Sequence, residues 1–304
     1  MIRLCLAVLL ESKFFTIGSH GSEIWSLCSC HFQLRVTRML PVVCVINLAR
    51  DVARWKKISA ALEQQGFQIV RIRAIDARRK RSLICSKIGT DHYSQAMNRN
   101  LTPAECACAL SHIAALKRIL RKGCLYGIVM EDDAVMDDRF KRFVESDLER
   151  YLSKCAVVKI EGIENAPRKG LILERTGTTS LLLPFVPTQG SAAYAVTREG
   201  AQRLIKKFRA FSDPLDFMLS FYEWHGCTYG EVRPLLVQQD NRQEIALSSI
   251  QQERSVAYSG IVVRRSRLQA ILEIIVHDVW RRIWRILMIA RYALRYRTIA
   301  ISTR

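Results

Sequence analysis

Glu131, Asp132 and Asp133 are three consecutive carboxylates that follow the apolar run Leu125–Met130. Acidic groups this close repel one another, and a divalent cation held between them relieves the repulsion. Such a cation takes carboxylate oxygens and commonly bridges to a substrate's phosphates. The run before the triplet has the pattern of a buried strand, and open α/β sheets bind ligands beyond the carboxyl ends of their strands. The chemistry that fits is a metal–diphosphate site. On spacing alone a solvated acidic turn is an equal contender.

The elements that must position the triplet can be read along the chain. Val42 to Leu48 is a β-branched apolar run, expected as a first buried strand. A helix is expected from about Asp51 to Gln65, closed by Gly66, and a second strand over Phe67 to Ile75. Strand, helix and strand in that order predict a parallel α/β arrangement. Residues 76–100 are polar and irregular and are expected to form a loop. Thr102-Pro103-Ala104-Glu105 carries a Thr cap, Pro at the first helical position and a capping-box Glu, so a helix is expected to about Lys122, stopping at Gly123. A charged helix over about 137–152 follows. Strands are expected at 156–160, 181–186, 191–196 and 232–238, with helices from Thr197 to about Lys207 and over 214–222.

Other polar residues fall near the strand ends. Asn47, Arg50 and Arg54 lie where the first strand passes into the next helix, a location that suits a nucleotide or its phosphates. An exposed helix face is as good a reading for Arg54 alone. Gly190, Ser191 and Ala192 are small residues where a sugar or another backbone can approach closely, with ordinary strand packing an equal contender.

The composition, 49% apolar and 25% charged, is that of a folded globular protein. Forty-seven Lys and Arg against 28 Asp and Glu give a net charge of +19, which favours anionic partners. Part of the excess is local: ten Arg and two acids between Arg264 and Arg304 contribute +8. The ten Cys show no C-x-x-C pair and no zinc-finger spacing, so they are read as inert buried thiols in a reducing cytosol. Residues 1–38 show no clear periodicity, and the folded protein is expected to begin near Met39 with a peripheral extension before it.

Several segments together resemble glycosyltransferase family 25: INLARDVARW (46–55), LTPAECACALSHIAALKRIL (101–120), LYGIVMEDDAV (125–135), QGSAAYAVTREGAQRLI (189–205) and the Pro214-Leu215-Asp216 turn. The resemblance spans about residues 42 to 240, and ordered motifs are more specific than the triplet alone. It implies a GT-A-like nucleotide-sugar-binding α/β domain, with a central mostly parallel sheet, over residues 39–245. It also implies a hexosyltransferase, inverting and metal-dependent, that uses UDP-galactose or a close relative with Mn2+ or Mg2+. Glu131 and Asp133 would hold the metal. Asn47, Arg50, Arg54, His112, Glu131, Asp132, Gly190 and Ser191 would border the donor, and Asp216 would be the general base. Without the resemblance, His112 reads as a structural histidine and Asp216 as a helix-start acid.

Residues 246–304 are expected to form a basic tail. Over 268–294 the apolar Leu268, Ile271, Leu272, Ile275, Val279, Ile283 and Ile286 share a helical face opposite Arg267, His277, Arg281 and Arg285, with Trp280 and Trp284 near the boundary. Charged interruptions argue against a spanning helix, whereas a basic amphipathic helix suits an anionic membrane surface. The expected location is therefore peripheral, on the cytoplasmic face of the inner membrane, with a lipooligosaccharide or other glycolipid acceptor. The alternatives are a non-enzymatic basic protein that binds nucleic acid or membrane, and an inactive family member. No nucleic-acid-binding motif supports the first.

Overall fold

The computed structural model describes residues 40–79, 84, 93–94, 99–162, 169–209, 213–240, 279, 282–294 and 300–302. The expectations for residues 1–38, and for most of the tail, lie outside them. In chain order the elements are β1 (Val42–Asn47), α1 (Val52–Gln64), β2 (Gln68–Arg73), β3 (Tyr93–Ser94), β4 (Arg99–Asn100), α2 (Pro103–Arg121), β5 (Tyr126–Glu131) and β6 (Ala134–Met136). Then come α3 (Phe140–Ser146), α4 (Leu148–Leu152), β7 (Val157–Lys159), β8 (Gly170–Arg175), β9 (Ser180–Pro184), β10 (Ala193–Thr197) and α5 (Arg198–Phe208). The chain continues with α6 (Leu215–Ser220), α7 (Tyr222–His225), β11 (Tyr229–Arg233), β12 (Val237–Gln239), a helix α8 over 282–294, and β13 (Ala300–Ser302).

Among the described residues, nine strands form one sheet in the order β13-β8-β9-β11-β7-β10-β5-β1-β2. β2, β1 and β5 are mutually parallel, and β10 runs against β5. Following the pairings outward, β7, β11 and β8 run with β1, whereas β9 and β13 run against it. Six strands therefore share one direction and three oppose it: a mixed α/β sheet whose strands mostly point one way. β1 is buried along its whole length, as its unbroken apolar run requires for a strand covered on both faces.

The helix α2 packs against β1 and β5 and carries the Thr102 cap as expected. The Thr102 hydroxyl accepts from the Glu105 N–H at 3.2 Å, and the Glu105 carboxylate accepts from the Thr102 N–H at 2.8 Å. The same carboxylate holds Arg99 in a buried two-pronged ion pair at 2.7 and 2.9 Å, which ties the preceding loop to the helix start. Gly66 and Gly123 follow the ends of α1 and α2 with φ of 83° and 71°, conformations that a side chain disfavours.

Three expectations need correcting. The charged helix over 137–152 is two short helices that part at Asp147, whose carboxylate accepts from the Thr176 hydroxyl at 2.9 Å. The last strand is also two, β11 and β12. Pro234, with no N–H to give to a ladder, falls between them. Finally, strands lie where none was expected: β8, and the antiparallel pair β3 and β4 inside the expected 76–100 loop.

Thr102→Ala should lower stability to urea by about 1 kcal/mol, the usual worth of a cap. Arg99→Met should lower it by about 3–5 kcal/mol, because Glu105 is then a buried charge without its partner. Equal effects of the two substitutions in a urea titration would contradict the tying role of the buried pair.

Candidate functional site

The triplet sits at the carboxyl end of the parallel block, where Ile46 on β1 pairs with Glu131 on β5. Its three carboxylates meet three sets of partners. Glu131 accepts from the Ser191 hydroxyl at 2.6 Å, and His112 Nε2 lies 3.3 Å from the same oxygen. Asp132 accepts from Asn47 Nδ2 at 2.5 Å and lies 3.5 Å from Arg54. Asp133 lies 4.0 Å from Arg54, and its buried Oδ1 has no hydrogen-bond partner.

Asn47 is placed by the end of β1 and held from both sides. Its amide also donates to the Asp51 carbonyl at 3.0 Å, while its oxygen accepts from Arg71. Arg71 in turn lies over the Trp55 ring. On the far side of the triplet, the Asp240 N–H donates to the Asp133 carbonyl at 2.8 Å, and Lys57 pairs with the Asp240 carboxylate at 2.6 Å. The backbone around Asp133 is thus fixed by contacts that do not consume its carboxylate.

Burial alone pushes Glu131 up, but His112, Ser191 and Arg54 more than offset it and hold the carboxyl below its ordinary range. Burial raises Asp132 despite Asn47 and Arg54. Asp133 is pushed up to about 7, first by burial and then by the charges of Glu131 and Asp132. The cluster is short of positive charge at neutral pH. An orphaned buried oxygen among carboxylates fits a hard divalent cation, which prefers oxygen ligands. Asp133 and Glu131 are the residues that would hold it.

A cavity of about 140 Å3 opens over this cluster, bordered by Arg50, Arg54, Asp76, Cys108, His112 and the triplet. Arg50 pairs with Asp76 at its rim. The sequence-expected Arg50, Arg54, His112, Glu131, Asp132 and Asp133 therefore meet at one cavity, with Asn47 and Ser191 directly behind Asp132 and Glu131. Gly190 is placed otherwise: its φ is 115°, and a Cβ there would lie 2.6 Å from Glu161, so its small size makes room for that carboxylate. Asp216 stands at the start of α6, where its carboxylate accepts from the Phe217 N–H at 3.0 Å, and it is not among the residues bordering the cavity.

Sequence reasoning missed Asp76, Cys108, Glu161 and Asp240. Only Cys108 carried a signal, since it precedes His112 by four residues on one helix and so shares its face. Glu161 is buried 3.3 Å from Lys159, and burial, the largest influence, pushes it up to about 7. The alternation of Lys159 and Glu161 about Ile160 resembles the solvent face of an ordinary strand.

A family model described as Glycosyltransferase family 25 (LPS biosynthesis protein) matches residues 41–219. The chain is 29% identical over 189 residues to the protein named probable inactive glycosyltransferase 25 family member 3 of Rattus norvegicus, covering 60% of this chain and 32% of the relative. Its Bos taurus counterpart, of the same name, is 28% identical over 193 residues, 60% of this chain and 30% of the relative. The chain thus spans about a third of the length of these curated relatives. Among solved structures, a mannose-1-phosphate geranyltransferase from Thermus thermophilus aligns over 63% of this chain and 73% of its own. Its identity of 8% and TM-score of 0.27 are too low to bear on the fold.

A carboxyl whose pKa is raised on folding binds its proton more tightly in the folded state, so its contribution to stability falls as pH rises from about 4 to about 7. In EDTA, Asp133→Asn should therefore melt higher than the unsubstituted protein at pH 8, with the difference closing as the pH is lowered to 4. A pH-independent difference would show that Asp133 is not held in a charge-deficient cluster.

Proposed function

The chain belongs to glycosyltransferase family 25, and we propose that it transfers a hexose, galactose by the resemblance, from a UDP-sugar to a lipooligosaccharide or LPS-type glycan. The observation that carries the reading is the orphaned, charge-deficient carboxylate of Asp133 at the strand end, facing a cavity with arginines on its rim. Glu131 and Asp133 would hold Mn2+ or Mg2+, which neutralises charge developing on a departing diphosphate. Arg54, already 3.5–4.0 Å from Asp132 and Asp133, is positioned to meet phosphate oxygens, and Arg50 at the rim can do the same. Asn47 fixes the direction of Asp132. Ser191 fixes Glu131 by its hydrogen bond, with His112 3.3 Å from the same oxygen. Asp216 is proposed as the base that takes the acceptor proton, a role resting on the family resemblance alone, with inversion as the stereochemical outcome.

The named relatives are called inactive, which makes an inactive member the second reading. The complete triplet with its supporting contacts favours activity over that alternative. A nucleic-acid partner is not proposed, because the acidic cluster would repel a phosphate backbone unless a cation intervened.

We also propose peripheral attachment to the cytoplasmic face of the inner membrane, through α8. No helix among the described residues is long and apolar enough to cross a membrane. α8 is held to the domain by the buried Tyr292, whose hydroxyl accepts from the Tyr229 N–H at 2.9 Å, and by Met288 and Ile289 packed against the core. Arg285 adds to this hold: it pairs with Glu223 at 2.7 Å, lies over the Phe221 ring and donates to the Phe185 carbonyl. Ile283, Ile286, Leu287 and Leu294 point the other way, and are 43% to 82% exposed among the described residues. Arg291, at the edge of this apolar stripe, lines a cavity of about 430 Å3 together with Lys154, Arg198 and Arg203. Apolar residues beside clustered cations suit an anionic bilayer, where each basic residue contributes about 1 kcal/mol. The helix lies at the end of the sheet opposite the triplet. A membrane-anchored acceptor must therefore reach about 20 Å past a strand, which an oligosaccharide can do.

UDP release from a panel of UDP-sugars, with truncated lipooligosaccharide as acceptor, should require Mn2+ and one particular sugar. It should fall about a hundredfold or more in Asp133→Asn. Release from no donor, together with no UDP binding by calorimetry, would favour the inactive reading. For the membrane, Leu287→Glu should lose sedimentation with phosphatidylglycerol vesicles, and binding by the unsubstituted protein should weaken with salt. Equal sedimentation of both proteins would reject attachment through α8.

A further inference from the structure

The face of α2 turned toward the triplet carries a second set of ligand atoms. Cys108 and His112, four residues apart, project from it side by side, and Glu131 faces them from the end of β5. One ligand atom from each residue lies within 4.8 Å of the other two. His112 is fully buried, and its Nε2 makes no hydrogen bond although it lies 3.3 Å from Glu131. The opposite ring nitrogen, Nδ1, lies 3.2 Å from the buried Tyr194 hydroxyl, with the two rings stacked. When Nδ1–H donates to that oxygen, the lone pair is on Nε2, the form in which imidazole binds a metal. Ser191 supports Glu131 in the same way at 2.6 Å.

We propose that Cys108, His112 and Glu131 form a site for a thiophilic divalent cation, zinc in the first place, and that its occupation withdraws Glu131 from the donor site. One sulfur, one nitrogen and one oxygen ligand are a set that zinc accepts in tetrahedral geometry with a fourth position open. Manganese and magnesium prefer all-oxygen surroundings, so the soft and hard ions sort between Cys108–His112 on one side and Asp133 on the other. Tetrahedral bonds of about 2.0–2.3 Å bring ligand atoms to about 3.5 Å from one another, so binding closes the cluster by about 1 Å. The Cys108 thiol gives up its proton to solvent as the sulfur–metal bond forms. Burial pushes the thiols of Cys44, Cys155 and Cys227 up to about 12, which leaves them poor competitors for the ion. Metal binding stands independently of the proposed transfer reaction. The inhibitory consequence rests on it.

The test is a titration of the metal-free full chain with Co2+, which reports a bound thiolate by a sulfur-to-cobalt charge-transfer band in the near ultraviolet. The unsubstituted protein should develop the band at one equivalent and lose it on addition of Zn2+. Cys108→Ser and Cys108→Ala, each confirmed as folded by circular dichroism, should lack the band, and His112→Gln should weaken binding by about 10–100-fold. No band at one equivalent, or a band retained in both Cys108 variants, would overturn the site. In a second readout, the ratio of manganese-dependent UDP release with and without added Zn2+ should fall in the unsubstituted protein and hold in Cys108→Ser. A cobalt band in a protein that turns over no donor would leave the metal site standing and remove the transfer reading. Manganese-dependent turnover without a cobalt band would do the reverse.

Discussion

Glu131, Asp132 and Asp133 follow one another out of a strand whose preceding residues are buried, and they arrive at its end with more negative charge than their surroundings neutralise. Asn47 gives its amide to Asp132, Ser191 gives its hydroxyl to Glu131, and Arg54 spans Asp132 and Asp133. Asp133 keeps a buried oxygen without a donor. Low local polarity makes such a group costly as an anion, so the cluster favours whatever positive charge it can recruit, a proton at low pH or a cation otherwise. The parallel block, the cap that fixes α2 and the network behind Asn47 all hold this imbalance in place.

Much of this was legible in the sequence because it depends on local rules. The unbroken β-branched run at 42–48, the Thr-Pro-Ala-Glu start of α2 and the glycines after α1 and α2 each carry their physical reason within a few residues. The three acids after an apolar strand point to the site for the same reason. What could not be read depends on contacts distant in sequence. Asp147 breaks a helix by binding Thr176, and β8 pairs with strands that are only half-visible by pattern. Glu161 looks like a surface acid until β10 and Gly190 cover it. Asn47 was expected to face the nucleotide, yet its amide is spent on Asp132 and Asp51, so it acts through a neighbour.

Most of the expected tail helix lies outside the described residues. On α8, Met288, Ile289 and Tyr292 share the inward face with Arg285 while Arg282 and Arg291 are exposed, so apolar residues and arginines occur on both sides. Arg285 turns inward because the Glu223 side chain is buried there and would otherwise be an unpaired charge. Ile283, Ile286, Leu287 and Leu294 are left outward.

The central claim, that the triplet gathers a divalent cation together with a nucleoside diphosphate, is most directly tested by electron paramagnetic resonance of Mn2+. The protein is titrated with Mn2+ in the presence and absence of UDP, and the free-ion signal is followed. On this account the free-ion signal is lost at one equivalent when UDP is present, more weakly without it, and persists in Asp133→Asn under both conditions. A free-ion signal undiminished by the unsubstituted protein and UDP would contradict it.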